Sequence, residues 1–284
     1  MTRPRTTKID LAAGAFQALE LDGRARADEG PPAIYLHGFP DHPPTAIPFL
    51  ERIATRRRVI APWLRGYAPS PLVGPYDLDT LAGDVIQLID QLGAPVDLIG
   101  HDWGGAITYA VCAAVPGRVR RAITLAVPHP LTMLHMLKTA EQMRRSWYMA
   151  LFQLPGSERI ARARDLALLD HLWSTWSPGF ALDPARRAEL HACLEASLPA
   201  PLAYYRALVR PVAGFAARAR KLASPITVPV LQLHGANDGC IVPPSTRDAR
   251  RFMRRELVVV PNTGHFLHLE APDAIADHVA TWLS

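Results

Sequence analysis

Short runs of apolar, largely β-branched residues recur along the chain: Ala33–Leu36, Val59–Ala61, Val96–Ile99, Ala122–Val127, Val228–Leu233 and Leu257–Val260. Each is nearly continuous rather than alternating, the pattern of strands buried on both faces of a parallel sheet. Helical spacing lies between them. In Asp77–Ala94 the residues Leu78, Leu81, Val85, Leu88, Ile89 and Leu92 recur three and four positions apart and share one helix face, and Gly93 supplies the stop. Pro272–Leu283 predicts a closing helix with proline at its first position. Lys8–Leu21 alternates weakly, as an antiparallel hairpin at a sheet edge does. Between His129 and Ser224 the strand runs vanish, and helical spacing is broken only by "LPGS", "WSPGF", "LPAP" and "RPVAGF". The pattern predicts an α/β core of residues 1–128 and 225–284, with a mostly parallel central sheet flanked by helices. An all-helical domain, residues 129–224, is inserted after the sixth strand.

With 284 residues, 49% of them apolar, the chain can bury one sizeable core. The longest membrane-like stretch, Gly104–Gly117, is shorter than the ~20 residues of a spanning helix, so no membrane partner is expected. The opening "MTRPRTTKIDLAAGAF" has neither a clean apolar run nor a small-residue cleavage site, so no signal peptide is expected. Cys112, Cys193 and Cys240 form no C-x-x-C pair, which argues against a disulfide framework and for the cytoplasm. The net charge of +5 raises nucleic acid as a partner. The arginines, however, fall in scattered doublets: Arg57–Arg58, Arg120–Arg121, Arg144–Arg145, Arg186–Arg187 and Arg250–Arg251. No aromatics interleave them for base stacking, so they predict a solvated surface and no nucleic-acid partner. Without an H-E-x-x-H motif or a nucleotide-binding glycine loop, neither a metal nor a cofactor is expected.

In open parallel sheets ligands bind outside the carboxyl ends of the strands. Ala33–Leu36 is followed by "HGFP", Val96–Ile99 by "GHDWGG", Val228–Leu233 by "HGAND" with Asp238, and Leu257–Val260 by "PNTGH" with His265. These ends offer, in order, a loop of backbone donors, a nucleophile turn, an acid and a base. Asp102 stands at the turn, flanked by Gly100, Gly104 and Gly105. An aspartate that merely capped the next helix would not need those glycines. Asp238 could alternatively be a turn residue in "NDG", but the rival position after Ala122–Val127 reads "AVPHP" and holds no carboxylate. His268 and His101 compete with His265 as the base. His101 is placed beside the elbow by its sequence position, and His265 has the better context, with a glycine just before it and a strand end before that.

Together these motifs resemble the α/β-hydrolase superfamily over the whole chain. Within it, "HGFP", "GHDWGG", "RGYAPS" and "NTGHFLHLE" resemble the epoxide hydrolase branch, with haloalkane dehalogenases as close relatives. The fold implied is the α/β-hydrolase fold, and residues 129–224 become its lid. The aspartate fits that branch chemically. A carboxylate attacking an acyl carbon gives an anhydride, whereas attack on a saturated carbon with a leaving group gives an alkyl ester that water can cleave. His265 would activate that water, Asp238 would orient His265, and the backbone N–H groups of Phe39 and Trp103 would form the oxyanion hole. The resemblance also implies a cis bond before Pro40.

Halide binding in the dehalogenases uses the tryptophan after the nucleophile, here Trp103, and commonly an asparagine where this chain has Phe39, which has no side-chain donor. Epoxide opening uses two lid tyrosines. The resemblance places them at Tyr148, seven residues before Pro155, and at Tyr205, just before Arg206. Adjacent Tyr204 would point about 100° away on a helix. Both tyrosines could instead be ordinary lid packing. Met149 and Phe152, with Phe39 and Trp103, are expected to contact the substrate; Trp173, Trp176 and Phe180 are further wall candidates. The expected function is therefore hydrolysis of a small-molecule epoxide to a vicinal diol through an ester on Asp102. The alternatives are a haloalkane dehalogenase with the same nucleophile and a non-catalytic ligand receptor of the same fold.

Overall fold

Eight strands form a single sheet in the computed structural model, which describes residues 4–22, 30–93, 95–210 and 219–284. Ala94, at the end of the predicted helical stretch, lies outside the described residues, as do positions 1–3, 23–29 and 211–218 within the predicted domain bounds. The strands are β1 (Arg5–Leu11), β2 (Gly14–Leu21), β3 (Ala33–Leu36), β4 (Val59–Pro62), β5 (Val96–His101), β6 (Val119–Leu125), β7 (Val230–Gly235) and β8 (Arg255–Val260). Their spatial order is β1-β2-β4-β3-β5-β6-β7-β8. The predicted hairpin β1–β2 sits at one edge; it and the β2–β4 pair are antiparallel, and every other pair is parallel. In β3, β4, β5 and β7 every residue is buried, which is why these strands read as nearly continuous apolar runs.

Two sequence expectations shift. β6 begins at Val119 rather than Ala122, because Arg120 and Arg121 can lie in a strand and still send their guanidinium groups to partners. Arg120 reaches Asp97 at 2.6 Å, and Arg121 donates to the Trp282 carbonyl. Ala126 then turns to φ 59° and ends the strand. The arginine doublets are also not uniformly solvated. Arg57 is buried, 2.5 Å from the fully buried Asp97 at the start of β5. A carboxylate inside the sheet requires such partners.

The helices of the core are α1 (Ile47–Ala54), α2 (Leu78–Leu92) and α3 (Trp103–Ala114). α2 starts where the Asp77 carboxylate accepts from the Thr80 N–H at 3.2 Å and stops at Gly93, whose φ is 71°. Between β6 and β7 the described regular elements are all helical: α4 (Pro130–Met136), α5 (Ala140–Arg145), α6 (Trp147–Leu151), α7 (Ser157–Trp176, with non-helical backbone at Ala163–Leu166), α8 (Pro184–Ser197) and α9 (Ala200–Val209). α10 (Leu267–Glu270) and the predicted closing helix α11 (Pro272–Leu283) complete the chain. No helix among the described residues is long and apolar enough to cross a membrane.

Candidate active site

β5 runs directly into the elbow. His101 is its last residue, Asp102 follows at φ 49° and ψ −115°, and α3 begins at Trp103. A side chain at positive φ costs on the order of 1–3 kcal/mol and persists only where its surroundings dictate it. Here they do. A Cβ at Gly104 would lie 2.0 Å from the Leu36 carbonyl oxygen, so α3 can approach β3 this closely only with glycine there. The Asp102 N–H donates to the Leu125 carbonyl at 3.1 Å, which ties the elbow to β6. Its Oδ1 accepts from the Phe39 N–H at 2.9 Å, and the Phe39–Pro40 bond is cis. The Trp103 N–H heads α3, among the amides a helix leaves without an internal partner.

Asp238 and His265 converge on this carboxylate. His265 lies in the loop after β8, with Nε2 3.7 Å from Asp102 Oδ2 and Nδ1 3.0 Å from Asp238 Oδ2. Asp238 lies in the loop after β7. Its Oδ1 accepts from the N–H groups of Cys240 at 2.7 Å and Ile241 at 2.9 Å, so it is a turn residue as well as a partner of the base. His234 Nε2 also stands 3.0 Å from Oδ2. Burial raises the Asp238 pKa, but the charge of His265 and the hydrogen bonds of His234 and His265 outweigh it and hold the group below the usual carboxylate range. Burial likewise opposes a charged His265. The charge of Asp238, the hydrogen bond to it and the nearby Asp102 carboxylate win, and its pKa is pushed up to about 10. The imidazolium therefore sits between two carboxylates.

The end of α7 is fastened to both of these loops. The Trp176 carbonyl accepts from the N–H groups of His265 and Gly239, each at 3.0 Å. Ser177 Oγ accepts from the Phe266 N–H at 2.9 Å and donates to Glu270 Oε1 at 2.6 Å, while Glu270 Oε2 accepts from the Gly264 N–H at 2.8 Å. A Cβ at Gly239 would lie 2.0 Å from the Thr175 carbonyl oxygen, so this contact too depends on glycine.

A cavity of about 580 Å³ reaches Asp102. Trp103, Tyr148, Met149, Tyr205 and Ile241 line it there. Away from Asp102 it follows one face of α3 over Ala106, Ala110, Ala113 and Ala114, a floor of small side chains. The rings of Tyr148 on α6 and Tyr205 on α9 meet edge to face, 5.5 Å apart. The Tyr205 hydroxyl is buried with no hydrogen-bond partner among the described residues, and the Tyr148 hydroxyl lies 3.4 Å from Cys240 Sγ. The neighbouring Tyr204 spends its hydroxyl on the Arg65 carbonyl. Burial, reinforced by the Asp102 charge, pushes the pKa of Tyr148 and of Tyr205 well above the ordinary phenol value. Both stay protonated at neutral pH and can donate.

Not every expected wall residue meets the cavity. Phe39 and Phe152 are fully buried and pack edge to face on each other at 5.5 Å, with Tyr205 5.2 Å from Phe39 and 5.3 Å from Phe152. They back the wall instead of lining it, because the Tyr205 ring stands in front of them. Trp173 donates to the Pro40 carbonyl at 2.9 Å, and the Trp176 ring lies 5.2 Å from that of His265. The competing histidines lie behind the elbow. His101 Nε2 contacts the His265 carbonyl at 3.0 Å, and His268 Nε2 contacts the Tyr35 hydroxyl at 2.9 Å. A carboxylate oxygen of Asp41 lies within 4.8 Å of a ring nitrogen of each. Burial lowers the pKa of both imidazoles and pushes Asp41 up to about 7. His234, Cys240, Ser177 and Glu270 escaped the sequence reading. His234 and Glu270 stand inside the motifs "HGAND" and "NTGHFLHLE", and only their contacts reveal them.

Comparison with known proteins bears on the family and the fold. A model of the alpha/beta hydrolase family matches residues 33–278. Human epoxide hydrolase 4 is 28% identical over 275 residues, covering 91% of this chain and 74% of the human protein. The AB hydrolase superfamily protein YfhM of Bacillus subtilis (strain 168) is 29% identical over 279 residues, covering 91% of this chain and 92% of its own. A solved structure described as one of the novel epoxide hydrolases from metagenomes of hot environments superposes with a TM-score of 0.82 at 28% identity, covering 99% of this chain and 98% of its own. With its mostly parallel eight-stranded sheet and a family match spanning residues 33–278, the chain belongs to the alpha/beta hydrolase family.

Proposed function

We propose that the protein is an epoxide hydrolase that converts an apolar epoxide to a vicinal diol through an alkyl ester on Asp102. An Asp102 carboxylate oxygen attacks a ring carbon. The carbon–oxygen ring bond breaks, and its electron pair stays on the ring oxygen, which takes a proton from Tyr148 or Tyr205. In the second step His265 takes a proton from water, and the hydroxide adds to the ester carbonyl carbon of Asp102. The Phe39 and Trp103 N–H groups bind the oxyanion. The ester bond then breaks, the departing alkoxide takes the proton from His265 and leaves as diol, and the Asp102 carboxylic acid passes its proton to His265, which restores the starting ion pair. Residues 129–224 serve as the lid that supplies both tyrosines, and the free thiols of Cys112, Cys193 and Cys240 suit the cytoplasm.

Proton accounting supports this order. Two carboxylates hold the His265 proton while Asp102 is charged. Esterification removes one of those charges, so the imidazole becomes a base only after the nucleophile has acted. The proton it then releases goes to the tyrosinate that ring opening left, which restores the phenol and leaves a neutral imidazole to deprotonate water.

The observation that carries the reading is the pair of buried, protonated tyrosines beside an aspartate nucleophile, with the Tyr205 hydroxyl lacking a partner among the described residues. Incubation with styrene oxide, a trans-disubstituted epoxide, 1-bromobutane and p-nitrophenyl acetate tests it. Diol from at least one epoxide, with little bromide release, is expected. Bromide without diol would make the protein a dehalogenase, and binding without turnover would make it a receptor.

A further inference from the structure

His234, the residue before the end of β7, is fully buried and takes no part in the chemistry above. Its Nε2 lies 3.0 Å from Asp238 Oδ2 and 3.0 Å from the Ile241 carbonyl oxygen. Both neighbours are acceptors, so Nε2 carries a hydrogen whatever the state of Nδ1. Asp238 Oδ2 also accepts from His265 Nδ1, again at 3.0 Å. One carboxylate oxygen therefore accepts from His265 and has the His234 Nε2–H beside it, while the other is filled by the Cys240 and Ile241 N–H groups. The Ile241 carbonyl keeps the His234 ring in place, and the shared oxygen can neither rotate away from His265 nor give it an undivided charge. Each donor on a carboxylate stabilises the anion and weakens its pull on a proton elsewhere.

We propose that His234 is a positioning residue of the acid–base pair. With its Nε2–H on the Ile241 carbonyl and only 3.0 Å from Asp238 Oδ2, it holds that carboxylate against His265 Nδ1 and moderates the grip of Asp238 on the His265 proton. Release of the base after Asp102 is esterified is the one consequence that rests on the epoxide reading; the geometry and the test do not. The other titratable groups facing the pair are Asp102 and His101 at the elbow, Asp41 after β3, Cys240 beside Asp238, His268 of α10 and Arg145 of α5, which donates to the Asp238 carbonyl. All are retained when His234 alone is replaced, so they cancel in a comparison of variants.

Imidazole ¹⁵N NMR of Asp102→Asn protein, a neutral stand-in for the ester, follows the His265 titration without substrate. The signal is assigned by its loss in His265→Gln. Adding His234→Phe removes the donor and is expected to raise the His265 midpoint by about one pH unit, a tenfold tighter hold on the proton. His234→Gln, which keeps an N–H, should restore most of the original value. An unchanged or lowered midpoint in a His234→Phe protein that circular dichroism shows to be folded overturns the proposal. Should that variant not fold, the Asp102→Asn spectrum decides. His234 Nε2 must appear as a protonated ring nitrogen whose shift moves as His265 titrates; a bare Nε2, or one indifferent to His265, also overturns the proposal. Failure to turn over any epoxide would leave these spectra unaffected and counts against the reaction, not against His234.

Discussion

Replacing Tyr205 with phenylalanine should make the protein more stable and slower at once. In the free protein the Tyr205 hydroxyl is buried without a partner among the described residues. A buried hydroxyl left unsatisfied costs about 1–3 kcal/mol. Phenylalanine keeps the ring contacts with Phe39, Trp103, Tyr148 and Phe152. The substitution therefore removes a penalty and no packing, a gain of about 1 kcal/mol, or roughly 2 °C in Tm for a chain of this size. In the ring-opening transition state the same hydroxyl meets a developing alkoxide. A hydrogen bond to a charged group is worth about 1.5–3 kcal/mol, so its loss should slow alkylation of Asp102 by about 10- to 150-fold. Tyr148→Phe is the control, because its hydroxyl already contacts Cys240 Sγ at 3.4 Å. It should slow alkylation similarly without the gain in Tm. Single-turnover quenching with styrene oxide measures the first quantity, and scanning calorimetry the second. Wild-type alkylation in Tyr205→Phe, or a Tm several degrees below wild type, would show that this tyrosine is a packing residue and refute the argument.

Other expectations follow from the same geometry. His265→Gln should form the ester and fail to hydrolyse it, so mass spectrometry should find an adduct of epoxide mass on the Asp102 peptide; a first wild-type turnover in H₂¹⁸O should leave the label in Asp102 and not in the diol. Ala110→Leu raises the α3 floor of the cavity and should raise KM for a long 1,2-epoxyalkane by about tenfold or more while sparing 1,2-epoxybutane, as initial rates would show. The His265 pKa is raised on folding, so its stabilising contribution is complete below the ordinary value of 6.5 and is lost as pH climbs to about 10. Thermal melts across that range should therefore show wild type losing more stability than His265→Gln, and parallel losses would contradict the ion-pair assignment.

The sequence reveals those parts of the fold in which local composition and burial agree. β3, β4 and β5 are buried on both faces, so their apolar runs mark them, and Gly93 marks the end of α2 because only its backbone conformation suits glycine. Asp102, Asp238 and His265 are readable because each follows a strand end beside glycines, and the structure brings all three together. What stays hidden depends on contacts across the chain. Arg57 reads as surface until Asp97 is seen inside the sheet. Tyr204 and Tyr205 are equivalent in composition, and only the Arg65 carbonyl, 139 positions away from Tyr204, separates their roles. Phe39 and Phe152 read as wall residues because their types suit a wall; the Tyr205 ring that shields them is supplied from another helix. The fastening of α7 is less legible still, since its central acceptor is the backbone carbonyl of Trp176 and no side chain announces it.

That fastening constrains how substrate enters. Trp176 and Ser177 belong to the inserted helices, yet their hydrogen bonds hold the loops that carry Asp238 and His265. If the lid swung open about this end, it would pull the acid and base apart and leave several buried backbone donors unsatisfied, each at a cost of about 1–3 kcal/mol. At the other end of the cavity the polar links include the Lys221–Asp79 ion pair and the hydrogen bonds of Thr132 with Asp248 and Arg251, none of which holds Asp238 or His265. The walls there include Met133, Leu134 and Leu137 at and just beyond α4 and Leu208 on α9, above an alanine floor. Separating them exposes apolar area but breaks no part of the triad. An apolar epoxide entering along α3 would arrive at Asp102 with the base already set. The end of α7 thus belongs mechanically to the core, and the helices between β6 and β7 are fixed to it there.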